Sequence, residues 1–312
     1  MKRISRMMMI WIGCHSVVSL AECSEATGIL AKTINTGQSV ETGLPVNKGL
    51  LLDLDADKGV EVEEGNKVKA WHNQIKGNAA GVFVKRDPGR KVPGSGRPSL
   101  LKNVRKIGGH HTLAFHRQEL VNMDEDVFDP LLTGNGYTWI SVMSIARQVK
   151  GKKDVHSFFG NLKNGPNYEG FWGCIADDHR VWMGSRCWPK VKEGKQALWD
   201  KRNPKVIAPT PLTLHRYYLV MGRMGSGKGV VDLDLFVDSA TAVATGKMPV
   251  NPKANASKMA IGQERDATNH PGFESFIGEI SRFLVFDRPL SQQELDVISR
   301  YLMARYHIGA SQ

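Results

Sequence analysis

The sequence predicts an all-β chain: a two-sheet antiparallel sandwich with one short C-terminal helix. Three observations carry this. From about residue 49 onward, apolar and polar residues alternate in many short runs punctuated by Gly, Pro, Asn and Asp. No internal repeat recurs at a fixed period, and the loops between runs are irregular in length, which suits a sandwich better than a propeller or solenoid. The last stretch, residues 273–308, changes period once, from the two-residue alternation of a strand to the spacing of an amphipathic helix.

The chain has 312 residues, 41% of them hydrophobic and 8% aromatic, enough for a substantial core. Residues 1–21 read as a secretory signal peptide. Lys2, Arg3 and Arg6 are followed by a mostly apolar run from Met7 to Val18, and Ser19 and Ala21 place small residues where a signal peptidase reads. The run is too short for a stable transmembrane span. Cys23 follows Leu20-Ala21-Glu22, but Glu22 is wrong for a lipobox, so a lipoprotein is the less favoured form. The expected location is therefore secreted, periplasmic or at the cell surface. Residues 22–48 lack periodicity and read as a linker or N-terminal arm, and the domain itself is expected over 49–308. The formal net charge is +11, and an exported chain of this sign points to acidic glycans rather than to nucleic acid or nucleotides.

Leu50 to Leu54 and Val68 to Trp71 are the first predicted strands. Residues 84–106 form a basic Gly/Pro-rich loop. A strand begins at Leu113, and Tyr137 to Ala146 is the clearest central strand, with Trp139, Ser141, Met143 and Ile145 on one face. After a second basic loop, 147–153, short strands fall at 155–160, 169–176 and 181–187, the last two joined by a turn near Asp177-Asp178-His179. Residues 189–211 read as a long loop, and 214–222 and 230–237 as a hairpin across a glycine-rich turn. That turn, Gly222 to Gly229, has the glycine and lysine spacing of a phosphate-binding loop. It lacks the closing Ser/Thr and runs into an alternating strand instead of a helix, which excludes the nucleotide reading. A short strand is expected at 258–262. Finally, Phe276 to Val285 forms a strand broken at Pro289. Ser291 and Glu294 then make a capping box, and Leu295, Ile298, Leu302 and Tyr306 share one helical face.

Two stretches carry a family resemblance. At the end stand Gly278-Glu279-Ile280, Val285-Phe286-Asp287-Arg288, Leu290-Ser291, Glu294-Leu295, Tyr301-Leu302 and Arg305-Tyr306; at the start, Leu52, Leu54, Asp55, Ala56, Val68, Trp71, Asn73, Gly77, Asn78 and Ala79. Together they resemble the laminin-G-like, concanavalin-A-type domains of secreted bacterial proteins. The resemblance spans about 260 residues at the domain ends. It implies a jelly roll closed by the last strand and, for a domain of this sort, a structural calcium.

The expected function is recognition of a carbohydrate or surface, with the basic loops favouring an acidic polysaccharide. Trp172 and Trp182, with His179 and Arg180 beside them, are the candidate ligand-binding residues, because a flat ring matches the apolar face of a sugar. The first alternative is a polysaccharide lyase, for which His116, Arg117 and Gln118 supply a base and carboxylate-neutralising groups. The ordered signatures of lyases and the paired acidic residues of retaining glycosidases are absent. The second alternative is a structural or adhesion protein without a sugar site. Export makes a Cys174–Cys187 disulfide the expected staple of the hairpin. Asp53, Asp55, Asp57 and Glu64 begin like a calcium-binding loop, but Lys58 stands where the turn needs glycine. Asp57 and Glu63 are left as candidate ligands of a looser calcium site.

Overall fold

A computed structural model describes residues 43–77, 80–85, 95–149, 155–163, 167–189, 204–264 and 274–309. The expected signal peptide, most of the expected arm, and parts of both basic loops (86–94 and 150–153) lie outside the described residues. The strands are β1 (Leu50–Asp55), β2 (Val60–Glu63), β3 (Lys67–His72), β4 (Val82–Val84), β5 (Ser99–Val104), β6 (His110–His116), β7 (Leu120–Val121), β8 (Tyr137–Ile145), β9 (His156–Gly160), β10 (Asn167–Ile175), β11 (Arg180–Pro189), β12 (Lys205–Pro211), β13 (Tyr217–Met224), β14 (Val230–Val237), β15 (Ala244–Pro249), β16 (Ala260–Ile261) and β17 (Ile277–Phe286); one helix, α1 (Gln292–Arg305), follows.

Pairings between these strands are antiparallel and build two layers. One runs β15-β14-β13-β8-β17, with β1 and β6 sharing the far side of β17 and β5 beyond β6. The other runs β12-β11-β10-β9-β16-β7-β4-β3-β2. A single pairing of Lys67 with Ser99, between β3 and β5, joins the layers at one side, so the sandwich is nearly closed. β17 is the hinge of the first layer, because its first half pairs with β6 and its second half with β1 while β8 runs along its other side.

The alternation seen in the sequence decides what lies between the layers. Leu52, Leu54, Trp71, Phe115, Trp139, Met143, Phe158, Phe159, Phe171, Phe283 and Val285 enter the main core. The other parity of β8, β13 and β17 (Ile140, Val142, Leu219, Met221, Leu284) forms a second cluster on the outer side of the first layer. Helix α1 covers it with Leu295, Ile298, Leu302 and Tyr306. Its start is fixed by the expected capping box: the Ser291 side chain accepts the Glu294 amide, and the Glu294 carboxylate accepts the Ser291 N–H at 2.9 Å.

Several expectations need correction. Residues 99–104, inside the expected basic loop 84–106, are strand β5, paired with β6 and with Leu100 buried. Residues 205–211 are strand β12, not loop; among the described strands β12 pairs with β11 alone, and an edge strand tolerates its two prolines. Strand β15 was not anticipated, because its run ATGKMP lacks apolar alternation. Leu44 and Val46, assigned to the arm, are buried in the cluster under α1, so the fold begins before residue 49. Gly222, counted toward a phosphate loop, lies within β13, where an added Cβ would come within 2.3 Å of the Trp139 ring. It is a seat for a core tryptophan.

Candidate functional site

The β10–β11 hairpin forms as expected, and its register places the candidate residues. Trp172 pairs with Gly184, and Cys174 with Trp182; across the next pairing, Trp182 meets Ile207 and Gly184 meets Lys205. Paired residues share a face, so Trp172, Trp182, Gly184, Lys205, Ile207 and Cys174 all lie on the outer side of the second layer. Trp172, Cys174 and Trp182 form a small buried cluster there, separate from the main core. The row across the strands reads Gly160, Trp172, Gly184. A Cβ at Gly184 would sit 2.3 Å from the Trp172 ring, and one at Gly160 would sit 2.8 Å from the Trp172 Cβ. Glycine on both sides lets the indole lie flat along the sheet.

The two rings meet edge to face, with centroids 6.1 Å apart and planes at 89°. The Arg186 guanidinium rides 5.2 Å above Trp172, and the Lys205 ammonium 4.6 Å above Trp182. The rings are 2% and 6% exposed, so neither presents an open face for a sugar to stack on. What this surface offers is the cations carried on the rings. Sequence reading missed Lys205 because it lay in the supposed loop 189–211; the alternation within 205–208 was its only signal. The side chain of Trp188 lies outside the described residues.

His179 and Arg180 occupy the hairpin end. His179 holds a left-handed backbone (φ 66°) and its carbonyl accepts the Leu212 amide at 2.9 Å. Arg180 shares the parity of Trp182, but its guanidinium bonds Asp178 at 2.6 Å. Burial opposes the Asp178 charge, but the Arg180 amide and guanidinium together outweigh it and hold the carboxyl below its usual range. Nearby, His156 Nε2 lies 2.7 Å from Asp177.

No disulfide joins Cys174 and Cys187; both are free, buried thiols. Cys187 lies five residues along β11 from Trp182, the partner of Cys174. At roughly 3.3 Å per residue that is about 17 Å, against the 7 Å limit between Cα atoms of a disulfide. They also face opposite ways, Cys174 outward and Cys187 into the main core. Burial pushes the Cys187 thiol up to about 12 and raises Cys174 as well, so both are poor nucleophiles.

His116, Arg117 and Gln118 fall at the end of β6, where Arg117 takes a left-handed backbone (φ 72°). The Gln118 side-chain oxygen accepts the His116 amide at 2.5 Å, and the Arg117 amide donates to the Phe276 carbonyl at 2.9 Å. The glutamine is used to shape the corner. Beside it, Lys85 and Glu119 form an ion pair of 2.5 Å with both side chains fully buried.

Asp53 and Asp55 lie on β1, on the face opposite core residues Leu52 and Leu54, and Asp57 lies in the turn that follows. Arg282 on β17 grips Asp53 through two bonds of 2.9 and 2.8 Å, with Asp55 at 3.6 Å. Burial raises the Asp55 carboxyl, and Arg282 only partly offsets this. Asp57 gathers His110 Nδ1 at 2.5 Å, the His111 amide at 2.8 Å and Arg305 of α1 at 3.2 Å. Burial works against the Asp57 charge, but these partners outweigh it and hold the carboxyl below its usual range. Glu63 instead accepts from Arg97 at 2.7 Å. The two carboxylates proposed for calcium are therefore not brought together, and among the described residues no group of three acidic, His or Cys side chains is placed to hold a metal.

A carboxylate cluster that sequence reading passed over lies around residues 251–258. The amides of consecutive residues serve two acids: Asn255 donates to Glu169 at 3.2 Å and Ala256 to Asp129 at 2.8 Å. Burial pushes Asp129 up to about 6 and also raises Glu169. Lys163 and Lys258 bind the adjacent Glu125, each at 3.2 Å.

No protein-family model matches the chain, and no curated protein matches it. Among solved structures, it is similar to a Trypanosoma rangeli sialidase in complex with sialic acid, with 15% identity and a TM-score of 0.47 over 88% of this chain and 35% of that one. It is also similar to a SAP-like pentraxin from Limulus polyphemus, with 17% identity and a TM-score of 0.36 over 53% of this chain and 70% of the other. The chain thus spans 35% of the length of the sialidase it matches. Likeness at this level carries no argument about chemistry. No helix among the described residues is long and apolar enough to cross a membrane.

Proposed function

We propose that this chain is an exported carbohydrate-binding sandwich of the laminin-G/concanavalin-A type, and that it recognises an acidic polysaccharide through the outer face of β10, β11 and β12. The supporting observation is the pair of cations held over the buried tryptophans, Lys205 on Trp182 and Arg186 on Trp172. A ring beneath a cation fixes its position, and Lys205 is exposed on this face, where a polyanion would approach. The net positive charge, which remains after Lys2, Arg3 and Arg6 leave with the signal peptide, acts in the same direction by drawing polyanions toward the surface.

The reading is tested by affinity electrophoresis in gels containing heparin, alginate, polygalacturonate or neutral dextran. Retardation by acidic but not neutral glycans is expected, weakening as salt is raised. Lys205→Ala combined with Arg186→Ala should abolish it while leaving the thermal midpoint within a few degrees. Equal mobility in all four gels refutes acidic-glycan recognition and leaves adhesion without a sugar site.

A further inference from the structure

One end of the sandwich gathers positive charge that the fold does not neutralise. Separate backbone segments meet there around Asp57. Its carboxylate takes His110 Nδ1 at 2.5 Å and the His111 amide at 2.8 Å, both at the start of β6. His111 Nδ1 in turn accepts the Asn103 amide at 3.4 Å, and Val104 pairs with His110, so the β5–β6 hairpin joins the same contact set. Each of three exposed cations stands one residue from a member of that set: Lys58 beside Asp57, Lys102 beside Asn103 and Arg105 beside Val104. Among the described residues, none of these three side chains has a hydrogen bond, an ion pair or an aromatic ring against it. Asp57 also takes Arg305 at 3.2 Å, so its charge is used within the fold. Lys106, next along the hairpin, donates to the His215 carbonyl at 2.9 Å, a neutral acceptor that leaves the ammonium charge in place.

We infer that this end of the sandwich, at the β1–β2 turn and the tip of the β5–β6 hairpin, is a second contact surface for an acidic polysaccharide, carried by Lys58, Lys102 and Arg105. It rests on the reading above for its ligand and shares none of its residues. Surfaces ordinarily intersperse the two signs of charge, and unpaired cations held together repel one another. A polyanion relieves that repulsion and sheds its own counterions as it binds. The scaffold beneath the cations is fixed. The hairpin tip lies against the residue after Tyr306, where a Cβ at Gly108 would sit 3.0 Å from the His307 ring, and Lys106 ties it to the β12–β13 turn. The charged heads themselves ride on long stems that follow a ligand. Because the three cations stand on different stretches of backbone, a partner that meets all of them carries several charges along one chain. A uronate or sulfated polysaccharide does so, and a single inorganic anion does not.

The test is affinity electrophoresis of the full chain in gels of graded heparin or polygalacturonate content, with neutral dextran as the blank, at several salt concentrations. One variant combines Lys58→Ala, Lys102→Ala and Arg105→Ala. A matched variant, Lys48→Ala with Lys228→Ala and Lys253→Ala, removes the same charge from exposed positions elsewhere. The first variant should bind the acidic polymer about tenfold more weakly, the sum expected of three exposed charge contacts. Its affinity should also depend less steeply on salt, since fewer counterions are released. The matched variant should bind as the wild type does. Equal weakening in both variants overturns the inference, because bulk charge then suffices, and so does unchanged binding in the first. Should the triple variant not fold, its three single variants carry the same comparison, each weakening binding about twofold. Lys205→Ala with Arg186→Ala separates the two surfaces. Loss in that double variant, with full binding in the triple variant, removes this surface and leaves the outer face of β10–β12 standing; the reverse pattern keeps this surface and removes the outer face. A wild type that runs unretarded removes both. Sedimentation with phosphatidylglycerol vesicles that is lost in the triple variant, without retardation by either glycan, assigns the surface to a membrane and overturns the partner named here.

Discussion

Cys187 and Cys174 show what a residue alone leaves undecided. Spacing across a hairpin suggests a bridge, but the register sets the thiols on opposite faces. Reductant should therefore leave the thermal midpoint unchanged, and thiol reagents should react with both cysteines only after denaturant is added. A midpoint that drops with reductant would contradict the register. Asp129 makes a pH-dependent prediction. Its folded carboxyl is pushed up to about 6 from an ordinary 3.8, chiefly by burial, so the native state holds the proton more tightly than the unfolded chain. The sign is opposite to that of a salt-bridged aspartate. Above pH 6 the charged group weakens the fold, and this penalty is relieved as pH falls toward 4. Relative to Asp129→Asn, the wild type should gain thermal stability between pH 7 and pH 5; parallel profiles for the two would remove Asp129 as the cause.

Among the elements, α1 is tied at its first turn by the capping box and by Arg288, whose guanidinium takes both Glu294 oxygens at 2.9 and 2.7 Å. That pairing holds Glu294 down at about 2. A depressed acid contributes stability above its unfolded value of 4.5 that is lost as pH falls toward 2. Ser291→Ala should cost about 1 kcal/mol by denaturant titration. Its helical circular dichroism should also fall at a higher pH than that of the wild type, since the same box holds the carboxylate. Within the sheets, glycines opposite tryptophans set the packing. Gly222→Ala places a Cβ 2.3 Å from the Trp139 ring in the main core. It should destabilise by about 1–3 kcal/mol through overpacking. A neutral result would mean that the ring has room to move.

For the whole molecule, the decisive tie joins the two ends of the chain. Arg282 on β17 and Asp53 on β1 are 2% and 1% exposed and doubly hydrogen-bonded, 229 residues apart in sequence. Removing one partner of such a pair leaves a buried charge, so Arg282→Met should cost about 3–5 kcal/mol, with Asp53→Asn in the same background restoring part of it. Equilibrium unfolding measures both. If Arg282→Met unfolds like the wild type, the tie is dispensable and closure rests on the apolar strand contacts alone.

Period-two runs, the capping box and the helix face at Leu295, Ile298, Leu302 and Tyr306 were legible in the sequence because each depends on neighbours within about four residues. Strand β15 was not legible, since it has little apolar alternation of its own and is held by its ladder to β14. Lys205 was not legible because its place over Trp182 depends on a pairing between β11 and β12 that crosses the undescribed residues 190–203. The sequence by itself determined the strand class, the helix and its cap, since these follow from local periodicity and short-range hydrogen bonds. Only the tertiary structure decided that Cys174 and Cys187 stay apart, that Asp57 belongs to His110 and Arg305, and that two cations ride on the tryptophan pair. Those facts depend on register between strands, and a shift of one residue would reverse every face.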